Sequence, residues 1–245
     1  MRPLHRTATG MHLLRLVAAI LLLASVLSGC EKEVYHTILA SNAGFISSDF
    51  VEIVSEETVD GLTVRRVRAR CDNDSTSYEE WLELDGYYGS QGAGLLAALL
   101  PDLSTCNEGD DTDHHTWVTL NGQGGTVMDG VLIGRLLRQH GVEAGLTWGQ
   151  SCRASCAGAF LGAESRFMYG DASLHFNVPF EASYERSIDC TDKNEWDALR
   201  DYTSEMLEQV VASELLNGIS EECENPAGRL FNRASAQSIG LLSEE

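Results

Sequence analysis

Hydrophobic and polar positions alternate along the middle of the chain in short periodic segments. From Val51 to Arg70 apolar and polar residues alternate and β-branched residues recur, with Asp60-Gly61 at the midpoint, which predicts a β-hairpin turning there. "WLELDGYYG" (Trp81–Gly89) reads as a strand ending in glycine, followed by an apolar helix near Ala93–Leu103. "TWVTLNGQGG" predicts a strand over Thr116–Leu120, stopped by a glycine-rich turn. Val127–Gln139 has helical spacing, with Arg135, Arg138 and Gln139 on one face and Met128, Val131, Leu132 and Leu136 on another. "VEAGLTW" is a further strand, after which Ser155 opens a short helix reaching Ala163. "RFMYG" and "ASLHFNVP" predict two more strands. The longest helix spans Lys193–Leu216, with Asp192 as its N-cap and Gly218 as its stop. Strands alternating with helices predict an α/β domain whose parallel sheet is built from βαβ units.

The first residues follow a different pattern. Arg2, Arg6 and Arg15 precede an apolar run, Leu16–Leu27, that is shorter than the roughly 20 residues needed to span a bilayer. A basic start, a short apolar core and small residues describe an export signal, residues 1–29. Leu27-Ser28-Gly29-Cys30 also resembles the bacterial lipobox, which implies a lipid on Cys30. Glu31 resembles the residue found in lipoproteins released to the outer membrane, which implies a chain anchored there and facing the periplasm. Residues 30–50 then form a tether, 51–80 an N-terminal hairpin region and 81–245 the main domain; no linker or repeat divides the chain further.

The formal net charge is −20. Losing residues 1–29 would deepen it to −23, because three of the 17 basic residues and none of the 37 acidic ones lie there. Such a surface repels nucleic acid and anionic headgroups. Six cysteines follow Cys30, and an even number in an exported chain favours disulfides over metal thiolates. Of the 15 pairings that six cysteines allow, one joins Cys71 with Cys106, Cys152 with Cys156, and Cys190 with Cys223.

"LNGQGGTVMDG" after a strand and "CRASCAGAFLGAESRFMYGDASLHFNVP" further on together resemble the Clp protease proteolytic subunit, and still more its exported relatives. The resemblance covers Trp81 to Leu242 and implies a single domain of the ClpP/crotonase-like βαβ-repeat fold with a parallel sheet. It implies that Ser155 is a nucleophile and that the amides of Gly125 and Cys156 form an oxyanion hole. The physics is compatible: glycine lets a backbone approach a carbonyl closely, and first-turn helix amides are unpaired donors. Gly124-Gly125 also reads simply as a tight turn, and Ser155 as a helix N-cap.

A serine hydroxyl needs a base. At the base position of the resemblance stands Asn177, in Asn177-Val178-Pro179, and asparagine takes no proton. His175 lies two residues earlier, about 6.6–6.8 Å along a strand, so it serves as base only if the strand has slipped. His140 ends a helix, His36 lies near the anchor, and His114 and His115 sit in an acidic loop without metal-ligand spacing. Lys193, at a helix start, is a poor partner for a Ser–Lys dyad. Glu224 falls where the resemblance implies the carboxylate that orients the base, with Asp189 in reserve. Cys152 or Cys156, if reduced, offers a thiol nucleophile instead.

Two functions follow. The first is an envelope serine hydrolase, most simply a peptidase, with Ser155, His175 and Glu224 as its triad and no cofactor or metal. The second is a degenerate relative that binds peptides without turnover, as Asn177 suggests. A crotonase-type thioesterase is disfavoured, since coenzyme A thioesters are scarce outside the cytoplasm. The resemblance also implies a homo-oligomer, with a peptide or protein as partner.

Overall fold

The computed structural model describes residues 51–71, 76–106, 116–176, 193–221 and 229–243. The predicted hairpin is present as β1 (Val51–Val59) and β2 (Leu62–Arg70), antiparallel, with Asp60 and Gly61 both at positive φ in the turn. β2 pairs antiparallel with β3 (Tyr78–Tyr87) along its whole length, so the hairpin continues the main sheet. From β3 onward the chain alternates. Helix α1 (Ser90–Leu99) precedes β4 (Thr116–Gly124), and α2 (Val127–Gln139) precedes β5 (Val142–Leu146). β6 (Ser151–Arg153) leads into α3 (Ser155–Gly162), β7 (Arg166–Met168) and β8 (Ser173–Phe176). Helices α4 (Lys193–Met206) and α5 (Gln209–Glu221) follow, then β9 (Arg229–Asn232) and α6 (Arg233–Ser238).

The nine strands form one sheet in the order β1-β2-β3-β4-β6-β8-β9, with β5 and β7 branching from β4. The pairs from β3 to β8 are parallel, as βαβ connections require, whereas β9 returns antiparallel to β8. The molecule is thus a single α/β domain with a mixed sheet rather than a purely parallel one. All six helices place side chains in one apolar core on one face of this sheet. The other face carries a smaller cluster of Val67, Ala69 and Trp81 with Trp117 and Val51, and no described helix covers it.

Several elements differ from expectation for identifiable reasons. α1 starts three residues early and gives way to a 3₁₀ turn at Leu100–Asp102, where Pro101 has no N–H for an α-helical bond. β4 runs through the glycines to Gly124, because Gly122 is paired with Gly86 on one side and Cys152 on the other. A Cβ on Gly122 would meet the Tyr88 ring and the Gly86 carbonyl. The expected helix Lys193–Leu216 is two helices, broken at Leu207-Glu208, so that Leu199, Tyr202 and Met206 and then Ala212, Leu215 and Ile219 each reach the core. Gly218 does not stop α5; its missing Cβ makes room for the Arg229 guanidinium.

Among the described residues many arginines are matched. On β2, Arg65 meets Glu56, Arg66 meets Glu80 at 2.5 Å, and Arg68 meets Glu52. Arg135 pairs with Glu205 at 2.7 Å and Arg200 with Asp197 at 2.8 Å. Arg138 donates to the carbonyls of Gly162, Ala163 and Met206, and Arg166 to those of Ala163 and Leu241. Burial, with Arg138 nearby, lowers Arg166 to about 10, which still leaves it charged at neutral pH. A disulfide joins Cys71 to Cys106 and another joins Cys152 to Cys156; Cys190 and Cys223 lie outside the described residues. Among the described residues no helix is long and apolar enough to cross a membrane, and the expected signal, Cys30 and the tether lie outside them.

Candidate functional site

Parallel β6 ends at Arg153, and α3 begins two residues later. Ala154 makes the whole change of direction. Its N–H still donates to the His175 carbonyl of β8 at 3.1 Å, and its own carbonyl already accepts from Gly158 at 3.0 Å. Serving strand and helix at once forces φ 49° and ψ −114° on a residue with a Cβ. That backbone region is costly, on the order of 1–3 kcal/mol, and tends to mark functional turns. The Cys152–Cys156 disulfide spans the same turn, with Cα atoms 5.2 Å apart and both residues fully buried.

Ser155 stands immediately after this strained residue, and it is not a helix cap. The N-cap is Ala154, without a side-chain cap bond. Ser155 Oγ instead reaches 31 residues back along the chain and donates to the Gly124 carbonyl at 2.6 Å. The surrounding backbone comes unusually near. A Cβ on Gly125 would fall onto Ser155 Oγ and stand 2.5 Å from the Tyr88 carbonyl oxygen. A Cβ on Gly130 would stand 2.5 Å from the Ser155 carbonyl oxygen. Gly125 also has φ +136°, which disfavours any side chain.

Of the two amides expected to form an oxyanion hole, that of Gly125 does not face Ser155. Gly124 C=O and Gly125 N–H belong to one trans peptide and point in opposite directions. Since the carbonyl faces Ser155 and also accepts from Tyr88 N–H at 3.2 Å, the Gly125 amide is turned away from the hydroxyl. Cys156, the other expected donor, occupies the second position of α3, where main-chain amides have no intrahelical partner. Ser155 is only 1% exposed. This arrangement is a closed one.

Helix packing sets the site's level. Gly130 and Gly134 of α2 lie against Gly158 and Gly162 of α3, so the two helices run parallel in close contact. Tyr202 of α4 donates from its hydroxyl to the Gly158 carbonyl at 2.7 Å, and Glu205 meets Arg135. Hence α4 is parallel to both. All three N-termini, with their partial positive charge, lie at the end of the sheet where Ser155 sits. Thr126 caps α2 by accepting from Asp129 N–H. Lys193, set aside on sequence grounds, begins α4 at this same end.

The histidine arrives differently. β6 and β8 pair without slip, Arg153 level with His175. Cys152 points to α3, so Arg153 and His175 share the opposite, helix-free face of the sheet. The backbone of His175 meets Ala154, but its ring leaves the sheet on the side away from α3, and the strand slip that would bring it level with Ser155 is absent. Asn177, Asp189, Asp192, Glu224, His36, His114 and His115 lie outside the described residues. His140 is the C-cap of α2, distant in the fold from Ser155. Among the described residues no three His, Cys, Asp or Glu side chains come together as a metal site would need.

Asn121 was not singled out from the sequence. Its amide donates to Asp85 at 2.9 Å and its oxygen accepts from Ser151 N–H at 3.0 Å. It fills the gap where β4 changes partner from β5 to β6, and so aims β6 toward the Ser155 turn. Tyr88, wholly buried, donates from its hydroxyl to the Leu84 carbonyl, and burial together with Asp85 pushes that hydroxyl far up, keeping it protonated.

No protein-family model and no curated protein matches the chain. Its backbone is similar to solved structures of a membrane-bound stomatin-specific protease, 1510-N. A lysine-to-alanine variant in complex with a substrate peptide matches with TM-score 0.47 and 14% identity, covering 66% of this chain and 71% of that one. A serine-to-alanine variant matches with TM-score 0.47 and 15% identity, covering 66% and 75%.

Proposed function

We propose that the chain is an envelope serine hydrolase, most simply a peptidase of Clp-protease-like kind, with Ser155 as nucleophile. One observation carries this reading: a non-glycine residue is held at positive φ to present a serine whose hydroxyl serves no helix cap. A fold that only needed a turn would put glycine at position 154. Disulfides at Cys71–Cys106 and Cys152–Cys156 support an oxidising compartment, and the lipobox-like Leu27–Cys30 supports attachment to a membrane there.

In this reading the described arrangement is the resting one. Turning the Gly124–Gly125 peptide over would release Ser155 Oγ and bring the Gly125 N–H in beside that of Cys156. Glycine on both sides of the peptide keeps that rotation sterically open. The base is either His175, after movement of β8, or Lys193 from the first turn of α4, and Glu224 would orient a histidine. The second reading, a peptide-binding relative without turnover, draws on the near-complete burial of Ser155.

Intact-mass analysis after exposure to a fluorophosphonate probe separates the two. One adduct on the wild type and none on Ser155→Ala supports the hydrolase. His175→Ala and Lys193→Ala then identify the base by which of them abolishes labelling. Absence of an adduct on a chain with both disulfides formed supports the binding protein.

A further inference from the structure

Arg153 is an exposed arginine that meets no carboxylate among the described residues. The arginines of β2, α2, β7 and α4 described above meet carboxylates or backbone carbonyls. Arg153 is exposed, and its Nε donates to Ser151 Oγ at 3.3 Å. Among the described residues its two terminal amino groups have no hydrogen-bond partner. In a chain of net charge −20, an exposed guanidinium with no acidic neighbour among the described residues is conspicuous. It also stands two residues before Ser155, a Cα separation of roughly 7 Å at most.

Its surroundings are ordered by strand register. Ser151 lies level with Ser173, and Arg153 level with His175, on the helix-free face. His175 is in turn level with Leu230 of β9, whose side chain is 63% exposed beside them. A planar fork of donors, polar side chains behind it and an exposed apolar residue at its side fit a terminal carboxylate with an apolar side chain attached. Guanidinium binds carboxylate through two parallel hydrogen bonds, a geometry no ammonium matches.

We propose that Arg153 anchors the free C-terminal carboxylate of a peptide laid across the ends of β6 and β8. The proposal rests on the hydrolase reading for its consequence: a substrate held by its carboxyl end on the helix-free face passes round the end of β6 to reach Ser155, so cleavage falls a few residues from that end. Charge favours a terminal carboxylate over acidic side chains, because a peptide rich in Asp and Glu is repelled by the rest of this surface.

The test uses the chain with its disulfides formed and titrates three fluorescent peptides of Ala, Gly and Leu. One ends in a free carboxylate, one in an amide, and one is an amide carrying a single Glu side chain. Binding is read on wild type, on Ser155→Ala to prevent turnover, and on Arg153→Gln and Arg153→Lys. The free-acid peptide is expected to bind about ten-fold or more tightly than either amide. Arg153→Gln removes that preference, and Arg153→Lys keeps part of it. Equal binding of acid and amide, no binding of any peptide, equal binding of the Glu-bearing amide, or a preference that survives Arg153→Gln overturns the proposal. Fluorophosphonate labelling of Ser155 is a separate readout. Labelling without carboxylate preference sinks the anchor and keeps the hydrolase, and preference without labelling does the reverse.

Discussion

Gly125→Ala puts the closeness of the Ser155 turn to a quantitative test. The new Cβ would overlap Ser155 Oγ and stand 2.7 Å from Ser155 Cβ and 2.5 Å from the Tyr88 carbonyl oxygen. The backbone cannot swing away freely, because Gly124 O is fixed by Tyr88 N–H and by Ser155 itself. Overpacking costs about 1–3 kcal/mol and a side chain at φ +136° a further ~1–3 kcal/mol, so the variant loses about 2–6 kcal/mol. Urea unfolding with the disulfides intact measures it. A double-mutant cycle then separates the causes. In a Ser155→Gly background the clash with the serine side chain disappears, while the positive φ and the Tyr88 contact remain. The cost of Gly125→Ala should fall there by about 1–2 kcal/mol, the coupling expected of residues in contact. If the cost is below 0.5 kcal/mol (~the level of a neutral surface change), or is unchanged in that background, the close approach of the two segments is refuted.

Burial raises Glu79 to about 7, so the folded state holds its proton more tightly than the unfolded chain does, and stability is lost as pH rises from its ordinary 4.5 through 7, by roughly 3 kcal/mol at most. Glu79→Gln keeps an acceptor for Cys106 N–H and should stabilise the fold at pH 8 but not at pH 4; equal effects at both would refute the shift. Arg138→Met removes the side-chain donor to the carbonyls of Gly162 and Met206, Ala163 keeping Arg166, and should cost about 2–4 kcal/mol by urea unfolding, with a change under 1 kcal/mol counting against it. The two disulfides should differ. Chain-entropy loss scales with loop length, so replacing Cys71 and Cys106, 35 residues apart, should cost about 4 kcal/mol, against about 2 kcal/mol for Cys152 and Cys156, four apart. The second replacement should nonetheless depress fluorophosphonate labelling more than the first, because it frees the turn at Ala154.

Periodicity disclosed the hairpin, β3, β4, α2 and the helix after Ser155, since each buries one face over enough residues to leave a pattern. It could not disclose β6. Three residues, Ser151 to Arg153, show a single alternation, and what makes them a strand is pairing with Gly122 and with Ser173 to His175, contacts 30 and 22 residues distant. Nor could it divide α4 from α5. The apolar spacing continues across Leu207-Glu208, and only the shape of the core face makes the helix break there. Gly218 misled because a glycine near the end of a helical pattern usually stops it, whereas here the space it leaves is filled by Arg229.

Ser155 was legible as a candidate, but not the features that distinguish it from a helix cap. Those are a backbone angle at Ala154, a carbonyl 31 residues away and the missing Cβ atoms of Gly125 and Gly130. Each is a property of backbone geometry, on which side-chain patterns are nearly silent. The one sequence trace is the density of glycine in Asn121–Gly134 and Gly158–Gly162, which a helix or strand tolerates only where another backbone must come close. Glycine at 130, 134, 158 and 162 lets two helices touch, while glycine at 125 admits Ser155 and glycine at 122 admits the Tyr88 ring. Helices α2 and α3 approach to backbone contact along their shared length, most closely at Gly134 and Gly162 and again at Gly130 beside the Ser155 backbone. A fold needing only a packed core could fill those positions with alanine and gain helix propensity. Withholding the Cβ at Gly125 and Gly130 gives up backbone rigidity in order to seat Ser155 against the Gly124–Gly125 peptide. That cost is intelligible if the relation between hydroxyl and peptide is what the domain exists to control.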